Sequence, residues 1–151
     1  MARSTIAVIL EEMADQIRNA VDDVTDVDVQ VEGLPITAPT PPTIDMWPAT
    51  PSTEPTVGGF HAEVDYGELV TVRARVSAND QEAQAALLLA FMDVEDPLSV
   101  EMALRDEPTL GGHAAELDVR DRTGMLPVFD QGGDVSMYAC EWTVLVIRAD
   151  T

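Results

Sequence analysis

"DVSMYACEWTVLVIR", residues 134–148, is the stretch on which the fold turns. Successive side chains of a strand point to opposite faces. Here Trp142, Val144 and Val146 fall on one face and Leu145 and Ile147 on the other, so the last part is apolar on both. Such a strand belongs in the middle of a sheet, covered from both sides. "ELVTVRARVSA", 68–78, offers a companion strand, with Val70, Val72, Ala74 and Val76 on one face and Thr71, Arg73 and Arg75 on the other. A further strand is expected at 114–121, "AAELDVRD", and a glycine-bounded segment, "GMLPVFDQGG", leads from it to the last strand.

Upstream, "TIAVILEEMADQIRNAV", 5–21, sets Ile6, Ile9, Leu10, Met13, Ile17 and Val21 at helical spacing, with Ser4 or Thr5 as N-cap. "DVDVQVE", 26–32, alternates strictly, which predicts a half-buried strand with Val27, Val29 and Val31 inward. Its aspartates, with Asp23, lack the glycine and the period of a calcium loop. Asn79 and Glu82 form a capping-box pattern opening a helix that runs to Asp93, with Ala83, Leu87, Ala90, Phe91 and, just beyond, Val94 toward the core. In "SVEMALRDEPTLGG", 99–112, a short helix ends at Pro108, Leu110 folds back onto the core, and Gly111–Gly112 turn the chain into the next strand.

Residues 33–60 change character. Seven of the ten prolines lie between 35 and 55, and only Asp45 and Glu54 are charged. "TIDMWP", 43–48, reads as an extended edge strand, and the remainder as a long loop. A loop of this length is usually functional or disordered. Ordering it costs about 1–2 kcal/mol per residue, which a neighbouring surface can offset. The expected architecture is therefore one α+β domain over 1–151. It has a mixed, mostly antiparallel sheet of four or five strands, two main helices on one face and a Pro-rich arm at about 33–60.

Charge excludes some functions. Against 28 acidic residues stand eight arginines and no lysine, a net of −20. Such a surface repels nucleic-acid phosphate. No apolar run reaches the roughly 18–20 residues of a membrane span, and the first residues lack a signal peptide's apolar region, so the chain is expected to stay where it is made. A single cysteine, Cys140, permits no internal disulfide and agrees with a reducing compartment.

Chemistry is hard to find. His61 and His113 each stand without neighbours at metal-ligand spacing. Cys140 sits in the strand pattern as a small core residue. No nucleophile elbow, phosphate loop or zinc-protease motif occurs, and nothing selects two carboxylates as an acid–base pair. Neither catalytic residues nor a metal or cofactor is expected. Arg73 and Arg75 stand together on one strand face, either pairing with acids of the neighbouring strand or making an intersubunit contact.

With these elements placed, the chain over roughly 5–149 resembles the tail-terminator (tail-completion) proteins of long-tailed bacteriophages of high-GC actinobacterial hosts. The resemblance rests on the N-terminal helix, "VDVQVEGLPITAPTPPTIDMWP", "VTVRARVSANDQEAQAALLLAFMD", "SVEMALRDEPTLGG" and "YACEWTVLVIRA". Within these, Asp80, Ala83, Gln84, Leu87, Ser99, Val100, Ala103, Leu104, Asp106, Thr109, Leu110, Gly111 and Gly112 match the family pattern. These are packing and turn signatures.

The resemblance implies a non-enzymatic virion protein forming a ring, typically a hexamer. That ring caps the head-proximal end of the tail tube, stops tube polymerisation and joins the tail to the neck proteins of the head. Phage DNA passes through its lumen without specific binding. Assembly takes place in the host cytoplasm, away from any membrane. A head-completion or connector ring subunit is the nearest alternative, a small peptide- or ligand-binding module using "PPTIDMWP" the next, and a hydrolase the last. Arg73, Arg75, Asp45, Met46, Trp47, Phe129 and Asp130, with the loops 35–58 and 123–133, are the expected subunit or partner contacts. Six chains each at −20 repel one another, so ring closure is expected to need salt or divalent ions.

Overall fold

The computed structural model describes residues 5–49, 67–79 and 81–149, with the side chain of Gln81 left aside. In chain order the elements are α1 (Ile6–Val24), β1 (Gln30–Glu32), β2 (Thr43–Pro48), β3 (Gly67–Ser77), α2 (Gln81–Met92), α3 (Val100–Asp106), a 3-10 turn (Leu110–Gly112), β4 (Ala114–Arg122), β5 (Leu126–Phe129) and β6 (Val135–Arg148). The class is α+β. Its sheet has six strands in the order β1-β2-β3-β6-β4, with β5 also on β6. Only the β1–β2 pair is parallel.

β6 is central, as its two apolar faces require. One edge pairs with β3 along the whole length from Gly67↔Ile147 to Ser77↔Met137. The other edge is shared: β4 covers the end from Trp142 to Arg148, and β5 covers Val135 to Ala139. Between them the Thr123 N–H donates to the Glu141 carbonyl and the Thr123 hydroxyl accepts from the Glu141 N–H, at 2.8 and 3.0 Å. β4 and β5 are thus one interrupted edge strand, a consequence of the bulges in β4 and of Gly124.

The three helices of the described residues bury side chains against one face of this sheet. Ile9, Met13 and Ile17 of α1, Leu88 and Phe91 of α2 and Val100 and Leu104 of α3 meet Ile44, Met46, Val72, Ala74, Cys140, Trp142 and Val144 in one core cluster. The Gln16 amide ties α1 to α3, donating to the Ala103 and Leu104 carbonyls at 3.1 and 3.2 Å. These are carbonyls that a helix C-terminus leaves without an intrahelical partner.

Several expectations need correcting. α1 runs to Val24 and is capped by Thr25, so the strand expected at 26–32 shrinks to Gln30–Glu32. Val27 is consequently exposed, while Val29 and Val31 are buried. Alternation alone could not locate where the helix released the chain. The expected edge strand 43–48 is an inner strand over Thr43–Asp45, because β1 pairs beside it. On α2 the buried positions are Leu88 and Phe91, whereas Ala83 and Val94 face outward. The helix is described from Gln81, and the capping box expected of Asn79 and Glu82 runs through residue 80, which lies outside the described residues.

The corner at 99–112 follows the sequence reading closely. The Ser99 hydroxyl accepts from the Met102 N–H at 3.1 Å and starts α3. Leu110 is fully buried with φ of 50°, and Gly111 and Gly112 follow at 67° and 95°. A left-handed leucine costs about 1–2 kcal/mol. Burying its side chain contributes about 1.5–3 kcal/mol, enough to hold the residue there.

Gly33 marks where β1 hands the chain to its crossover beneath α1. A Cβ there would lie 2.9 Å from the Leu10 carbonyl oxygen and 3.1 Å from the Glu11 nitrogen. Both are rigid helix backbone, so Gly33→Ala is expected to cost about 1–3 kcal/mol by overpacking. Urea denaturation followed by circular dichroism checks this: the midpoint should fall while the slope is unchanged.

Candidate functional site

The face of the sheet away from the helices carries Thr43, Asp45 and Trp47 of β2 beside Thr71, Arg73 and Arg75 of β3, with Glu141 and Thr143 of β6 in register. Parallel strands need a crossover between them. Residues 33–42 supply it without a helix, and its polar backbone must find partners on the way. Asp45 is where it finds them.

The Asp45 carboxylate is completely buried and fully engaged. Oδ2 accepts from the Ile36 N–H at 2.9 Å, from Arg73 Nη2 at 2.6 Å and from Arg75 Nη2 at 3.1 Å. Oδ1 accepts from Arg73 Nε at 3.0 Å, making the Arg73 pair bidentate. Arg75 Nη2 also donates to the Ile36 carbonyl at 2.9 Å, so both polar backbone groups of Ile36 are fixed. The Arg73 guanidinium lies over the Trp47 ring, 4.6 Å from its centroid, a cation–π contact that partly replaces the water it gives up.

Two guanidiniums therefore share one carboxylate in a desolvated place. Burial pushes the Arg75 pKa below its ordinary value, Asp45 opposes that, and the neighbouring Arg73 charge adds to the lowering. Arg75 Nε has no hydrogen-bond partner among the described residues. Chemically the cluster is a clamp. Asp45 accepts three donors on Oδ2 and one on Oδ1, and both arginines that supply the charge are held by it.

The expected contact residues separate into two groups. Arg73 and Arg75 pair with the acid of the neighbouring strand, the first of the two readings open to them. Asp45 and Met46 are fully buried and Arg75 nearly so. The contacts shown for them lie inside the subunit. Met46 alternates with Asp45 and points into the core. Trp47 keeps an outward edge, the Arg73 side chain is 23% exposed, and Phe129 and Asp130 are exposed on the β5–β6 hairpin. The arm from 50 to 58 and His61 lie outside the described residues. His113 stands in the turn before β4, 4.0 Å from the Glu12 carboxylate.

Two other features bear on chemistry. A cleft of about 530 Å³ between α1 and the α3 end is lined by Asp23, Asp96, Asp106 and Glu107 with Asn19 and Met102. Among the described residues no three His, Cys, Asp or Glu are grouped to hold a metal ion, and no helix is long and apolar enough to cross a membrane. Cys140 is buried in the core, where its thiol faces the Thr123 carbonyl at 3.5 Å.

Sequence reasoning found the arginine pair but missed Asp45 as its centre and Ile36 altogether. The available signal was one charge in a long uncharged stretch, on a strand of otherwise apolar residues. Compared with known proteins, the chain matches no family model and no curated protein.

Two outcomes are expected. Removing one partner of a buried ion pair typically costs about 3–5 kcal/mol, so Asp45→Ala should lower the unfolding free energy by that order in urea titration. Burial holds the Cys140 thiol above its ordinary pKa, so at pH 8 a thiol-specific disulfide reagent should react with it slowly until denaturant is added.

Proposed function

We propose that this chain is a structural virion subunit that assembles as a ring, typically of six copies, at the head-proximal end of a long phage tail. It stops tube growth and joins tube to neck. The observation that carries the reading is the residue-by-residue resemblance across 80–112, where Ser99, Leu104, Leu110, Gly111 and Gly112 build a helix-to-strand reversal. Two physical features support it. The β4–β5 edge has no further strand on its outer side among the described residues, with Phe129 and Leu126 exposed. Exposed edges of this kind are competent to receive another chain. The acidic surface suits a channel through which DNA slides without sticking, because phosphate is repelled.

In this role the subunit works without catalysis. The Asp45 clamp fixes the start of the Pro-rich arm against the sheet, and the arm and the hairpin are the parts offered to neighbours. Tail-tube protein and the neck proteins are the heterologous partners, and the assembled ring resides in the virion at the head–tail junction after forming in the host cytoplasm.

Mass photometry and negative-stain microscopy of the purified chain test the reading. Rings are expected, more stable at 0.15 M salt, where the Debye length is about 8 Å, than at a few millimolar. Binding to tail-tube protein favours the terminator, and binding to the portal complex favours the connector alternative. A strict monomer at high concentration that binds neither protein overturns both.

A further inference from the structure

Two surface features remain that neither the core nor the clamp uses. The first is a cleft of about 660 Å³ where the C-terminal end of α2, α3 and the end of β4 meet, lined by Leu89, Met92, Val94 and Arg122 with Asp93 and Glu101. Leu89 and Val94 are half exposed. Its two carboxylates are occupied: Asp93 accepts from the Glu95 N–H and Glu101 pairs with Arg105. Arg122 is different. Arg18, Arg73, Arg75, Arg105, Arg120 and Arg148 each have a carboxylate within 4.0 Å, whereas the exposed Arg122 guanidinium has none among the described residues; it donates to the neighbouring Thr123 carbonyl and also interacts with the Cys140 thiol.

The second is the tip of the β5–β6 hairpin. Phe129 is 62% exposed, the most of any large apolar side chain described. It is presented rigidly, because Asp130 Oδ1 accepts from the Gly132 and Asp134 N–H groups and the Asp130 N–H donates to the Asp134 carbonyl. Asp134 follows at the tip. The tip is thus an apolar knob with negative charge behind it, and the cleft sets the apolar Leu89, Met92 and Val94 beside Arg122, with Asp93 and the Arg105-paired Glu101 also in its lining.

Within one subunit the two cannot meet. Seven positions of extended edge separate Arg122 from Phe129, on the order of 20 Å at about 3.3 Å per residue. We infer that the knob of one copy seats in the cleft of the next, Phe129 against Leu89 and Val94 with Asp134 toward Arg122, as the subunit-to-subunit contact. The occupant is a second copy because charge narrows the choice. Two chains of −20 approach at least cost where the receiving surface sets apolar side chains beside a cation that no carboxylate pairs, and among the described arginines Arg122 is that cation. Different patches meeting in this way make a heterologous contact, which closes into a ring or runs on as a filament. This rests on the ring reading, and the experiment separates the two.

Arg122→Glu and Phe129→Asp are each expected to shift assembly at least tenfold toward monomer in mass photometry, with melting curves like the parent's. Mixed one to one, the two variants should give dimers and nothing larger, since one good knob meets one good cleft and growth stops. Asp134→Arg added to Arg122→Glu should restore the parent assembly. Should either variant misfold, Arg122→Gln and Phe129→Ser replace them. Rings that persist in both variants overturn this contact and leave the ring reading standing. A parent chain that is monomeric at every concentration overturns both.

Discussion

The β3–β6 ladder is the constraint on which the rest depends. It is the longest pairing among the described residues, running unbroken from Gly67↔Ile147 to Ser77↔Met137. Because side chains alternate, this single register decides what lies on each face. Val72 opposite Trp142 and Ala74 opposite Cys140 give the helices a surface to cover, and Arg73 opposite Glu141 and Arg75 opposite Ala139 are sent to the other side. A slip of one residue would place both arginines in the core. The helices stabilise the register through burial, and the register in turn gives the helices their docking face.

Asp45 extends the same logic to the opposite face. β2 pairs with β3 so that Asp45 lies directly across from Arg73 and Thr43 from Arg75. Placing a carboxylate there allows a parallel crossover made of loop, because Ile36 finds both its backbone partners in the cluster. A helix would have satisfied its own backbone and needed no such device. Pro35, Pro39, Pro41 and Pro42 disfavour a helix in the crossover 33–42 and so make the clamp necessary. Fold and clamp therefore share one cause in the sequence.

Much of this was legible in residues. β6 announced its central place through apolar character on both faces, α1 through its spacing, and the 99–112 corner through Ser99, Pro108 and the two glycines. What escaped was non-local. The α1 boundary depends on where Val21 and Val24 stop packing, so Val27 was read as inward although the helix and the Thr25 cap carry it out. Leu88 is fully buried where Leu87, expected in the core, packs against it only partly buried, because α2 is apolar nearly all round and its contacts with β3, β6 and α3 select the side. The partner of Arg73 and Arg75 lay 28 and 30 residues away, and its identification required the β2–β3 register.

Electrostatics ties the interior to the exterior. Of the described arginines, all but Arg122 are spent on carboxylates of the same chain, two of them on Asp45 alone. The surface left to solvent is therefore nearly unrelieved negative charge, and any like copy meets repulsion almost everywhere. Repulsion of this sort acts as a filter more than as a barrier. It penalises each alternative docking pose while leaving apolar side chains beside the one described arginine that no carboxylate pairs comparatively undisturbed. Under the ring reading proposed above, an acidic chain gains orientation in this way: charge excludes wrong contacts, and the short list of uncharged, exposed apolar groups is left to make the right one.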